Sequence, residues 1–170
     1  MSSSGLLHTR EQFSLVANAS FETAWPLFGA DKERAWAPDW EPVFLWPEKA
    51  LDQEGMVFKI RLGDRHAVWV NTTLDRVAGR VQYVYVIPDV VLTVITLQLA
   101  PNGGATSVEV VYERTALSSA ANESVREMAA RDSIAGMEWS RQINGYLVNH
   151  TLDDLRVSRQ SFTNSSKPRQ

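Results

Sequence analysis

AANESVREMAARDSIAGMEWSRQINGYLV, residues 120–148, is the stretch on which the fold turns. Val125, Met128, Ala129, Ala135, Trp139, Ile143, Tyr146 and Leu147 recur at steps of three and four, which makes one apolar stripe on a helix. Ala121 and Asn122 offer a cap, and Glu123 stands in the first turn, where the helix dipole favours an acid. No Pro interrupts roughly 27 residues, about 40 Å of helix at 1.5 Å per residue. The spacing therefore predicts a single C-terminal helix long enough to cross a small sheet. Asp132 and Gly136 break the apolar character of the stripe. A gap in the packing behind the helix would explain both, and so would an ordinary core with one salt-bridged acid.

Upstream of that helix the chain reads as antiparallel sheet. Residues 1–10 are expected to be a flexible leader, and Gln12–Ala17 a first strand by its alternation. Ser20 caps a short helix through Phe28, shortened by Pro26 and stopped at Gly29, and a second helical turn spans Asp31 to Trp36. Trp36, Pro38, Trp40, Pro42, Trp46 and Pro47 make a stiff, extended segment in which Glu41–Trp46 fits an edge strand.

Met56–Leu62 and Ala67–Leu74 flank a turn at Gly63–His66. Symmetric closure sets Ile60 against Trp69, Phe58 against Asn71 and Met56 against Thr73, with Lys59 and Arg61 facing solvent. Val81–Ile87 and Val90–Leu99 flank Pro88-Asp89, a register that puts Tyr83 opposite Val94 and Tyr85 opposite Leu92, on the outer face, or on the inner face if the turn differs by one residue. Asn102-Gly103-Gly104 then turns the chain into Thr106–Ala116. There Ser107, Glu109 and Glu113 face solvent, while Val108, Val110, Tyr112 and Arg114 point at the helix. The helix extends past residue 148, and residues 149–170 form that extension and a polar tail, with Ser158–Gln170 expected to be disordered.

Composition narrows the function. The 170 residues suit one domain, here 11–148, and the net charge of -3 with scattered signs argues against a nucleic-acid partner. With no cysteine there are no disulfides or thiolate metal sites, a pattern compatible with the cytoplasm. No apolar run approaches a membrane span. His8, His66 and His150 lie in the leader, a turn and the chain's end, so a histidine metal site or triad is not expected. Gly103-Gly104 opens a strand rather than a helix and is a hairpin turn, not a phosphate loop. No cofactor is expected.

The order of elements resembles the helix-grip superfamily of START lipid-transfer domains, birch-pollen-type allergens and polyketide cyclase/dehydrase-like proteins. The features that carry the resemblance are Phe21–Phe28 after the first strand, Trp36 with Trp40 before the second, and Gly55-Met56-Val57-Phe58. To these add Gly103-Gly104-Ala105-Thr106, Tyr112 and Thr115-Ala116-Leu117-Ser118 leading into the helix. It covers residues 11–148. It implies an α+β fold: a curved antiparallel sheet of about seven strands around a long C-terminal helix, two short helices after the first strand, and an apolar cavity between sheet and helix.

Strand parity makes Trp69, Asn71 and Thr93 candidate lining residues, and the helix stripe and last strand add Trp139 and Tyr112. Arg114 and Asp132 point between sheet and helix, as a structural ion pair or as anchors for a ligand's polar group, with an acid–base role for Asp132 the third option. Trp40, with Trp36, forms a plug or a lid at the cavity mouth. The function expected is binding or transport of a small hydrophobic ligand such as a lipid, polyketide or aromatic metabolite. The alternatives are an aromatase/cyclase-like enzyme and a filled interaction module. The solvent face of the sheet, with Val68 and Val70 beside Lys59, offers a surface for a homodimer.

Overall fold

Seven strands pair in the order β1-β7-β6-β5-β4-β3-β2, every neighbouring pair antiparallel. The structure is a computed structural model that describes residues 5–164, with side chains to Thr151. The strands are β1 (His8–Ala17), β2 (Val43–Trp46), β3 (Val57–Leu62), β4 (Arg65–Asp75), β5 (Arg80–Ile87), β6 (Val91–Asn102) and β7 (Ala105–Ala116). Helix α1 (Phe21–Ala24) follows β1 and continues as a 3-10 turn over Trp25–Phe28. A second 3-10 turn covers Lys32–Ala35. Ser20 caps α1 by accepting a hydrogen bond from the Thr23 N–H, and Pro26 enters where the tighter helix begins.

Strand parity follows the pattern of the sequence. Phe13, Leu15 and Ala17 on β1, Phe58 and Ile60 on β3, and Val108 and Val110 on β7 are buried. Lys59, Arg61 and Glu109 are exposed. The outer face carries Val68, Val70, Val84, Val86 and Val94, half-buried or exposed.

Two registers differ from the sequence reading. In the β3–β4 hairpin Phe58 pairs with Trp69 and Ile60 with Ala67, because the turn is Gly63-Asp64 alone and β4 starts two residues earlier, at Arg65. Gly63 takes φ 64, which a two-residue hairpin turn requires. A shift of two preserves the faces and changes only the partners. In the β5–β6 hairpin Tyr83 pairs with Ile95 and Tyr85 with Thr93. The loop has three residues, with Asp89 at φ 62, and that single extra residue turns both tyrosines into the core.

The chain's ends also differ. β1 starts at His8, so residues 8–10 of the expected leader are strand, and Leu7 N–H donates to the Asn122 side chain at 2.8 Å. Asn122 therefore ties down the N-terminal segment instead of capping the helix. The C-terminal helix is two helices. α2 (Asn122–Asp132) stops, Ser133 and Ile134 turn, and α3 (Ala135–Asn164) begins. The helix thus includes Ser158–Asn164, which composition marked as disordered. Residues 1–4 of the leader and 165–170 of the tail lie outside the described residues. No described helix is long and apolar enough to cross a membrane.

Gly136 sits at the start of α3 against β1. A Cβ built there would lie 2.9 Å from Phe13 Cδ2 and 3.1 Å from its Cβ, so the glycine permits close packing rather than marking a void. Gly136→Ala should lose about 1 kcal/mol in urea denaturation, because overpacking costs about 1–3 kcal/mol and helix propensity returns at most about 1. A variant as stable as the parent would show that Phe13 has room to move.

Candidate functional site

The space between sheet and helices is divided in two by a buried ion pair. Arg114 on β7 and Asp132 at the end of α2 are 5% and 7% exposed. Arg114 Nε donates to Asp132 Oδ2 at 2.6 Å and Nη2 donates to Oδ1 at 2.8 Å, a bidentate fork. Nη1 donates to Thr93 Oγ1 at 2.9 Å and to the Tyr85 hydroxyl. The guanidinium also lies 4.9 Å from the Tyr112 ring centroid. Burial alone would pull the Arg114 pKa down, but the hydrogen bonds to Asp132 and Tyr85 and their charges outweigh it and hold the guanidinium more firmly protonated than usual.

On one side of this pair, between the sheet's end and α2, a groove of about 620 Å³ opens. Tyr85, Ile87 and Val90 form its sheet wall, and Ala121, Ser124 and Met128 its helix wall. Arg65, Asp89 and Arg131 bring charge to it, and neither arginine is in a salt bridge among the described residues.

On the other side is an inner cavity of about 130 Å³, walled by aromatic rings. Trp69 comes from β4, Tyr83 from β5, Tyr112 from β7 and Trp139 from α3. Phe28, Glu33, Trp36 and Trp40 come from the segment after α1. That segment is fixed by its own polar edges. The indole N–H of Trp36 donates to the Leu27 carbonyl and that of Trp40 to the Ala30 carbonyl, both at 2.7 Å. The Tyr83 hydroxyl donates to the Phe28 carbonyl at 3.1 Å. The rings interlock edge to face, Trp36 on Trp139 and Trp40 on Trp69, each with centroids 5.3 Å apart.

The structure thus gathers Trp40, Trp69, Tyr112 and Trp139 around one cavity, and Thr93, Arg114 and Asp132 into the polar partition beside it. Asn71 stands apart. It is 1% exposed, neither amide atom has a partner, and it lines neither space. Aromatic side chains occupy most of the hollow between the Trp69 face and α3, and of the two spaces the greater volume lies at α2. Of the two explanations for Asp132 and Gly136, the salt-bridged acid in a packed core is the one observed.

Sequence reading missed Glu33. It lines the inner cavity, has no salt bridge among the described residues, and burial pushes its carboxyl up to about 8, with the nearby Asp52 carboxylate adding to the shift. Burial likewise raises Tyr83 well above the usual phenol range, helped by Glu33 and then Asp52. The segment holds four acids, Asp31, Glu33, Asp39 and Glu41, among its Trp, Phe and Pro, and nothing in the spacing singles out Glu33. His8, His66 and His150 fall on β1, on β4 and on α3.

No protein-family model matches the chain, and no curated protein matches it in sequence. Solved structures do match in shape. Norcoclaurine synthase from Thalictrum flavum, in complex with dopamine and hydroxybenzaldehyde, superposes with a TM-score of 0.63 at 12% identity, over 85% of this chain and 89% of that one. Ara h 8.0201 gives 0.60 at 12% identity, over 85% and 99%. DynU16, a protein of the dynemicin biosynthetic locus, gives 0.55 at 12% identity, over 81% of this chain but 46% of its own. Identities this low carry the architecture and nothing finer. With its seven-stranded antiparallel sheet closed over C-terminal helices, the chain has the helix-grip fold of the birch-pollen-allergen type.

Proposed function

We propose that the protein binds or carries a small, mainly apolar organic molecule, such as a lipid, polyketide or aromatic metabolite, in the groove between α2 and the sheet. The observation that supports this is the groove itself: about 620 Å³ with an apolar floor and a few charged groups at its edge. Ligand sites of about 300–1,000 Å³ have this composition. Arg65 and Arg131 favour a ligand with an acidic end. The small aromatic molecules bound to norcoclaurine synthase agree with the size of ligand. A cysteine-free chain suits such a role in the cytoplasm.

The test is a titration with 1-anilinonaphthalene-8-sulfonate, an aromatic anion, against the parent and Ser124→Trp. Ser124 is exposed on the groove wall, so the new indole fills the space without entering the core. Affinity should fall at least tenfold with unchanged circular dichroism. Equal affinity would remove the groove from consideration.

One observation favours a second reading, an enzyme of the aromatase/cyclase kind. Glu33 is an acid whose proton is held near neutral pH beside an aromatic-walled cavity, as general acid–base catalysis needs. Asp132, the sequence candidate for that role, has both oxygens committed to Arg114. Turnover of a poly-β-keto substrate that disappears in Glu33→Gln would decide for the enzyme.

A further inference from the structure

The inner cavity is a different kind of space from the groove. Seven aromatic residues contribute to its wall, and Glu33 is the one charged residue among them. Aromatic rings carry negative charge on their faces, so a ring-walled space has a negative interior, to which Glu33 adds when it ionises. No described cation balances it. Arg114 reaches the Tyr112 ring from the partition side, but its charge is matched by Asp132. Arg34, next in the chain, turns away to the Pro42 carbonyl and Asp31.

Volume sets the size of an occupant. A cavity of about 150 Å³ lined by apolar side chains takes up benzene. At about 130 Å³ the inner cavity has room for six or seven heavy atoms.

We propose that the inner cavity is a binding site for a small alkylammonium ion of the choline type, caged by the rings of Trp36, Trp40, Tyr112 and Trp139 and balanced by Glu33. Cation–π attraction is strongest for such poorly hydrated ammonium ions, and strongest on tryptophan. This goes beyond the apolar-ligand reading and uses other residues, so either can fail alone.

The groups facing Glu33 fix the pH dependence. They are Asp52, from the loop before β3, and the hydroxyls of Tyr83 and Tyr112. Burial keeps both hydroxyls protonated and also raises Asp52, while Glu33 changes charge near pH 8. In the empty site it holds its proton up to about pH 8. An entering cation displaces that proton.

The experiment titrates the protein with choline and with its uncharged isostere 3,3-dimethylbutan-1-ol, followed by tryptophan fluorescence between pH 6 and 8.5. At pH 8 choline should bind at least tenfold more tightly than the isostere, and its affinity should fall about tenfold for each pH unit below 8. Glu33→Gln should cost choline at least tenfold and leave the isostere nearly unchanged. Equal affinities for the two ligands would overturn the proposal, as would undiminished choline binding by Glu33→Gln or no choline binding at all. Binding of the anilinonaphthalene dye by Glu33→Gln reports that fold and groove are intact. Loss of dye binding by the parent with choline binding kept would sink the groove reading alone.

Discussion

Arg114→Met is expected to destabilise the protein by about 3–5 kcal/mol, and Asp132→Leu by a similar amount, whereas the double variant should lose less than either. The reason lies in what each change leaves behind. Removing the guanidinium strands the Asp132 carboxylate on a residue 7% exposed, with no other donor described for it. Removing the carboxylate strands the guanidinium among Tyr85, Tyr112 and Thr93. Removing both leaves an apolar contact between β7 and α2. Domains are stable by about 5–15 kcal/mol, so either single loss is a large part of the total. Urea denaturation of the four proteins gives the coupling directly. Single losses below 1 kcal/mol would mean that the pair is solvated. An Arg114→Met variant that kept its stability and lost dye affinity would make Arg114 a ligand anchor.

Glu33→Gln should stabilise the protein at pH 8 and above relative to pH 5, a gain of a few kcal/mol. The sign follows from the raised carboxyl. In the unfolded chain Glu33 ionises near 4.5, and in the folded protein near 8. Between those values the folded state holds a proton that the unfolded state has released. Its contribution is complete below the unfolded value and is lost as pH rises through the folded one. The slope is at most about 1.4 kcal/mol per pH unit, reduced because the residue is only half-buried. Gln cannot ionise, so subtracting its urea stability from the parent's at each pH isolates Glu33 and cancels most of the parallel effect of Asp52. A difference that stays constant from pH 5 to pH 9 would show that Glu33 is hydrated.

The order of the elements is legible in the sequence because alternation and three-four spacing are properties of neighbouring residues. Arg114 and Asp132 are legible for the same reason, as charges at positions where parity demands apolar groups. What fails is counting across turns. Closing at Gly63-Asp64 instead of over four residues, and looping through Pro88-Asp89-Val90 instead of two, depend on single backbone angles that composition does not reveal. The second of these decides the face of Tyr83 and Tyr85, which alternation leaves open, and with it the aromatic filling of the hollow. The helix break after Asp132 escapes periodicity because Ser133 and Ile134 stay helical enough to keep the stripe in phase. Glu33 is hidden because its burial comes from strands and a helix remote in sequence.

Asp132 is both the acid that neutralises Arg114 and the last residue of α2, so one bond fixes how far that helix reaches along the sheet. Sliding α2 by one turn, 5.4 Å, would separate the two charges and strand each of them. The depth of the outer recess is therefore set in steps, not along a continuum. Relatives built on this plan would change what they admit by moving the acid a whole turn, or by giving up both charges together.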